Sequence, residues 1–217
     1  MLTYRTAEDR DLKTICELCA DAFMEYDFYR PFVADPKKRW QFIYELHVHC
    51  FKAEIKRKQA VVGEDEGEII TAFSLHEPGR TQAGFGEYVS AGFGEYVSSG
   101  ALGMLLRYGF VPLSWFSMYD KCVAPALKFN NSNHDVYYIE ILAVRPDKQR
   151  QGIGTRDIHE YMIPYVRSKG GGHLSLITNS VGNTMFYESN GFKCFDKMKV
   201  PAAKTEIGNW CFSQKVD

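Results

Sequence analysis

Nowhere in the 217 residues does an uninterrupted apolar run reach the length of about eighteen that a membrane-spanning helix needs, so neither such a helix nor a membrane partner is expected. Charge of neither sign is in excess. Lys and Arg number 26 against 27 Asp and Glu, a formal net charge of −1, which lacks the basic surplus of a general nucleic-acid binder. Cysteine is sparse, with six residues at 16, 19, 50, 122, 194 and 211, too scattered for a disulfide framework. The opening MLTYRTAEDRDLK has no apolar stretch of the secretory kind, and a reduced, cytoplasmic setting is the expectation. No GxxxxGK run followed by Ser or Thr occurs, which removes the Walker phosphate loop.

What is present is ordinary globular material, 45% apolar and 24% charged, in a length that suits one generous domain. Leu2 to Arg5 predicts a strand and TAEDRDLKTICELCADAF a helix, with Thr6 and Asp9 as its cap pair. A second helix is expected after Pro36, where Trp40, Ile43, Tyr44, His47 and Phe51 form one stripe. QAVVGED and EIITAFSLHEP predict a hairpin turning at Asp65 to Gly67. From Pro78 to about Asn133 the pattern is irregular. AGFGEYVS occurs twice in succession, at 83–90 and 91–98, as a tandem duplication in a tolerant segment or as a lid over a ligand. Two apolar helices broken near Pro112 follow it. VYYIEILAV (136–144) then predicts a strand, the segment from Gly152 to about Lys169 a helix with Ile158, Met162 and Val166 on one face, and HLSLITN (173–179) a strand. VGNTMFYESNG is expected to be a short helix, and FKCFDKMKV and GNWCFSQKV two closing strands. The expected fold is mixed α/β (an α+β mixed sheet): a central twisted mixed sheet flanked by helices, one domain over 1–217, with an insertion at about 78–133 between the third and fourth strands.

The run QRQGIG, residues 149–154, lies where this strand 136–144 turns into the next helix. A helix start presents unpaired N–H groups and the positive end of the helix dipole, and glycine lets an anion come close. Two readings stand side by side: a phosphate cradle helped by Arg145, Lys148 and Arg150, or a tight turn that binds nothing. A dinucleotide fingerprint would need glycine at 157, where Asp157 stands and would repel a pyrophosphate.

Gln149-Arg150-Gln151-Gly152-Ile153-Gly154 fits a known signature: Gln or Arg, two residues, Gly, one residue, then Gly or Ala. With ILAVRPD before it and NTMFYESNGF about thirty residues later, it resembles the GNAT superfamily of acyl-CoA N-acyltransferases. The resemblance is clear from about residue 134 onward and weaker over 1–76, and 78–133 matches no core motif. Ile163-Pro164 and the closing GNWCF resemble the puromycin acetyltransferase-like branch.

The resemblance implies acetyl-CoA as cosubstrate, with its pyrophosphate on the amides of Arg150, Gln151, Gly152, Ile153, Gly154 and Thr155 after Gln149. Its pantetheine arm would pair like a strand with Leu142, Ala143 and Val144. Glu140 shares a strand face with Tyr138, Leu142 and Val144 by simple alternation, and a carboxylate in so apolar a strand is costly unless paired, hydrated or functional. It is the candidate base for a protonated amine, or else a structural carboxylate; His134 is a second candidate. Tyr187 is the candidate acid for the departing CoA thiolate, or a packing tyrosine, and Asn183 is expected to reach the cofactor arm. Cys16-x-x-Cys19 and HVHC at 47–50 are expected to be structural, and no metal is expected. The implied activity is acetyl transfer to a primary amine, on a small molecule or a peptide, by direct attack in a ternary complex and by a monomer or homodimer. The alternatives are an acyl-CoA-binding regulatory module without turnover, and a nucleotide-binding protein using the same loop. Phe85, Tyr88, Phe93, Tyr96, Trp115 and Phe116 in the insertion suggest an aromatic or apolar acceptor.

Overall fold

A computed structural model of the chain describes residues 2–79 and 101–217, so both copies of AGFGEYVS and their aromatic residues lie outside the described residues. The strands are β1 (Thr3–Thr6), β2 (Ala60–Asp65), β3 (Glu68–His76), β4 (Val136–Val144), β5 (Gly172–Thr178), β6 (Lys193–Ala202) and β7 (Thr205–Val216). They form one sheet in the order β1-β2-β3-β4-β5-β7-β6. Every neighbouring pair is antiparallel except β4 and β5. The helices are α1 (Leu12–Ala22), α2 (Pro36–Lys56), α3 (Ala101–Tyr108), α4 (Val111–Ser132) and α6 (Val181–Ser189). Between α4 and α6, the turns Ile153–Arg156, Asp157–Met162 and Ile163–Ser168 run on without a break, and together they make α5.

Strand alternation divides the core into two layers. Val61, Phe73 and Leu75 face α5, whose Ile158, Met162 and Val166 are fully buried against them, as the helical spacing predicts. Ala60, Val62 and Ala72 face the other way, onto Ile15, Cys16, Cys19 and Phe51 of α1 and α2. Cys16 and Cys19 are therefore core residues. Among the described residues no helix is long and apolar enough to cross a membrane.

Local chemistry explains most element ends. Asp35 caps α2 by accepting from the Lys38 N–H at 2.8 Å, with Pro36 just inside the helix. Glu66 and Gly67 both have positive φ, which matches a tight hairpin turn to the strand twist between β2 and β3. The expected Thr6 cap is wrong. Ala7 donates to Ala60 O at 2.9 Å, which keeps the chain extended past Thr6. The first turn instead starts at Glu8, whose N–H donates to the Asp11 carboxylate at 2.8 Å. The helix expected to Lys169 is present, but its middle, Asp157–Met162, is π-wound just before Pro164. Proline there has no N–H for the ladder and crowds the preceding turn, and a wider turn relieves both.

Leu75 pairs with Ile139 and the preceding Ser74 with Ile141, so Glu140 is an extra residue, a bulge that reverses the alternation. Tyr138 packs with Ala126 of α4, and Glu140 also faces α4, where Tyr119 bonds it. Leu142 and Val144 turn to the opposite face, toward α5. Glu140 therefore shares a face with Tyr138 but not with Leu142 or Val144.

The bulge coincides with the end of the parallel pairing. β4 meets β5 only at Val136, Tyr137 and Tyr138, opposite His173, Leu174 and Ser175. His173 also donates to Asp135 O at 2.9 Å. Gly172 makes that start possible, since a Cβ on it would lie 2.3 Å from Asp135 O, at a φ of +139°. Gly172→Ala is expected to destabilise the fold by about 1–3 kcal/mol in a denaturant melt, because backbone, not a flexible side chain, must give way.

Candidate active site

Past Tyr138 the facing edges of β4 and β5 line a cleft between them. On the β4 side stand Ile139 to Leu142, and on the β5 side Ile177, Thr178 and Asn179. Asn183 and Tyr187 of α6 also line it, with an aromatic wall of Phe28, Tyr29, Trp115 and Tyr119.

Glu140 lies where strand and wall meet. The Tyr119 hydroxyl of α4 donates a short hydrogen bond to Glu140 Oε1. The wall behind it is pre-built: Trp115 stacks between Tyr29 at 5.8 Å and Tyr119 at 5.5 Å, with the edge of Phe28 at 5.2 Å. The Trp115 indole N–H donates to Phe28 O at 3.0 Å, which locks the ring. His47 of α2 also lines the cleft, and burial lowers its pKa to about 4, so it is a neutral ring at ordinary pH. The Cys50 thiol is pushed up by burial first, then by Glu140 and Glu54, and so resists forming a thiolate nucleophile. His134 is exposed, precedes β4 and does not line this cleft.

The β5 side is held by Tyr26. Its hydroxyl accepts from the Asn179 N–H at 2.7 Å and lies 3.0 Å from Thr178 Oγ1. Asn183 is anchored to the same Thr178 hydroxyl at 3.2 Å. Tyr187 is packed among the rings of Phe186, Phe192 and Phe212, and burial pushes its phenol well above the usual range, so it stays protonated.

The glycine loop leads from β4 into α5. Gly152 caps the helix at φ +80°, a backbone that L side chains rarely adopt. The first helical bond runs from Arg156 N–H to Gly152 O at 3.0 Å, so the amides of Ile153, Gly154 and Thr155 precede the ladder and point out of the helix end. Gly154 is small for another reason than anion approach, since a Cβ there would lie 3.1 Å from the Phe186 ring. Ile153 is buried beside Leu2, Ile70 and Val144, while Thr155 is exposed.

Several side chains expected to face a ligand are committed within the protein. Gln149 donates to Val144 O at 3.0 Å and Gln151 to Asp147 O at 2.8 Å, so both amides staple the loop. Arg145 is shared between Asp147 at 2.7 Å and Glu68 at 2.9 Å. Arg150 is exposed at the loop crest. Asp157, expected to repel a pyrophosphate, is fully buried and turned into the core.

Residues 105–192 match the model of the acetyltransferase (GNAT) family. Over these residues the chain is similar to the GNAT acetyltransferases. The GNAT match begins within α3, inside the stretch that carries no recognisable motif in the sequence. No curated protein sequence matches the chain. Among solved structures it is similar to a polyamine N-acetyltransferase of Drosophila melanogaster, with a TM-score of 0.66 and 12% identity over 99% of this chain and 100% of that one. It is similar to an arylalkylamine N-acetyltransferase 7 of Aedes aegypti, described as putative, with a TM-score of 0.67 and 15% identity over 100% and 88%. A third likeness is to the PaiA N-acetyltransferase of Thermoplasma acidophilum in complex with coenzyme A, with a TM-score of 0.57 and 13% identity over 99% of each. The GNAT fold thus extends over the whole chain.

The structure brings Glu140, Leu142, Asn183 and Tyr187 to one cleft. It adds Tyr26, Phe28, Tyr29 and Tyr119, none of them singled out by motif. The signal for three of these was available as five aromatic residues between 23 and 32, in FMEYDFYRPF. Tyr26→Phe is expected to cost about 1–3 kcal/mol in a denaturant melt, because it leaves the Asn179 N–H without its acceptor.

Proposed function

We propose that this cleft transfers the acetyl group of acetyl-CoA to a primary amine by direct attack, with Glu140 as base and Tyr187 as acid. The observation that carries the reading is the bulge at Glu140. It sets a carboxylate beside a strand edge that has left its neighbour, within one cleft that also holds Tyr187.

The residues present fit the cofactor. From Ile139 onward β4 has no β5 partner among the described residues, so the backbone along Leu142, Ala143 and Val144 can take an extended arm as a further strand, through Leu142 and the Val144 N–H, since Val144 O accepts from Gln149 and Ala143 O faces Thr71. The amides at the start of α5 suit a pyrophosphate, with Gln149, Arg150, Gln151 and Gly152 shaping the approach and Ile153, Gly154 and Thr155 presenting N–H groups. The glutamine contributions are structural, through the staples that hold the loop. Asn183 would orient the arm from the β5 side. Acetyl-CoA supplies an activated acyl group as a thioester. Cleft residues position an amine against it and accept the amine proton at Glu140, while Tyr187 holds a proton for the leaving sulfur.

The acceptor follows from the walls. Tyr29, Trp115 and Tyr119 give the cleft an aromatic lining and Glu140 is the one carboxylate among its described residues, which suits a monoamine with an aromatic or apolar tail. Polyamine and arylalkylamine acetyltransferases among the structural relatives support an amine acceptor in general. We place the reaction in one domain spanning 1–217, in a reduced cytoplasmic setting in keeping with six free cysteines.

Free CoA release with acetyl-CoA and a panel of amines tests the reading. 2-Phenylethylamine is expected to outperform spermidine in kcat/KM. Glu140→Gln is expected to lower kcat by about 10²–10⁴ with little change in acetyl-CoA affinity. Full turnover by Glu140→Gln at neutral pH would show that the base lies elsewhere.

A further inference from the structure

We infer that Asp157 carries a proton in the folded protein, and that the neutral acid is the clasp fixing the start of α5 to β4, which makes Asp157 a positioning residue for the cofactor subsite. The positioning part rests on the acetyl-CoA reading above. The proton does not.

Too few hydrogens surround an ionised Asp157 to serve every acceptor. Asp157 Oδ1 accepts from the Tyr4 hydroxyl at 3.0 Å. Asp157 Oδ2 lies 2.7 Å from Thr71 Oγ1, and the same Thr71 oxygen lies 3.0 Å from Ala143 O. A threonine hydroxyl has a single proton. Facing an ionised carboxylate and a backbone carbonyl, it could serve only one of them. With a proton on Oδ2 every atom is served: Asp157 donates to Thr71, Thr71 donates to Ala143 O, and Tyr4 donates to Oδ1. The chain then links α5, β3 and β4 at Ala143, whose carbonyl faces β3 between Leu142 and Val144 of the strand proposed to bind the cofactor arm.

The surroundings are built for this arrangement. Tyr4, Gly63, Thr71 and Val144 form one row across β1 to β4. A Cβ on Gly63 would lie 2.4 Å from the Thr71 methyl and 3.2 Å from the Tyr4 ring, so the glycine leaves the hollow in which both are seated. No cation pairs with Asp157 among the described residues; the nearby Arg156 is paired with Glu160 at 2.9 Å. The facing groups are Tyr4 from β1, Thr71 from β3, and Arg156 and Glu160 on α5 itself. Burial pushes the carboxyl up to about 7, against the downward pull of Thr71, Tyr4 and Arg156.

The folded pKa of about 7 lies above the ordinary value of 3.8, so the stability that the proton contributes is fully present below about pH 4 and declines as pH rises, until it is lost through about 7. Asp157→Asn keeps a donor toward Thr71 and an acceptor for Tyr4 without the charge.

The test uses melts of the full chain without ligand between pH 5 and 8, and infrared spectra at pH 6. Wild type is expected to lose roughly 3–5 °C per pH unit relative to Asp157→Asn up to about pH 7. It should also show a protonated-carboxyl band that the variant lacks. Asp157→Ala should lose stability and acetyl-CoA affinity, with Asp157→Asn restoring both. Thr71→Val, which cuts the link to Ala143, should weaken acetyl-CoA binding about fivefold or more. Parallel melting curves for wild type and Asp157→Asn, with no protonated-carboxyl band, would overturn the proton. Unchanged acetyl-CoA binding by Thr71→Val would overturn the positioning role. A wild type that binds no acetyl-CoA would overturn the cofactor reading and that role together, leaving the proton to be decided by melts and spectra.

Discussion

One extra residue in β4 governs the site. A regular strand would place Glu140 on the face of Leu142 and Val144, toward α5 and away from the aromatic wall. With the bulge it faces α4, where Tyr119 holds its carboxylate, while Leu142 and Val144 keep their packing on the other side. The same region is where β4 and β5 stop pairing, although both strands continue. A break in the middle of a sheet would normally strand backbone groups, and here it opens a cleft lined from both sides.

Polar residues around this cleft divide into those that hold the protein and those left to face the cleft. Gln149 and Gln151 staple the loop, Arg145 joins β3 to the loop through two carboxylates, and Tyr26 ties the segment before α2 to the end of β5. Such groups fix the distance between the helix start and the open strand edge, which in a transfer reaction sets how well two reactants meet. Glu140 and Tyr187 are positioned rather than consumed. One is held at the wall by a hydroxyl, and the other is gripped by three rings that keep its phenol protonated.

Much of this was legible in the sequence because its signals were local. The hairpin at Glu66-Gly67, the strand 136–144, the buried face of Ile158, Met162 and Val166, and the turn at Gly152 each follow from spacing or backbone preference within a few residues. The bulge was not legible, since VYYIEILAV reads as unbroken alternation and the extra residue exists only relative to β3. Asp157 was misjudged for a similar reason: its partners Tyr4 and Thr71 are distant in sequence, and only the fold shows the carboxyl turned inward. The aromatic run at 23–32 was visible as composition, but its purpose depends on Trp115 and Tyr119, supplied by a helix some ninety positions later.

The most direct measurement is a thermal melt of the purified chain with acetyl-CoA and, separately, with ATP. At about a hundred times its Kd, a ligand that binds only the folded state adds roughly 2.7 kcal/mol. For a chain of this length that corresponds to a rise of about 5–11 °C. A rise with acetyl-CoA and none with ATP is the expected result. No rise with acetyl-CoA at any concentration would contradict the assignment of the open edge of β4 and the QRQGIG loop to an acyl-CoA, and the roles of Glu140 and Tyr187 would fall with it.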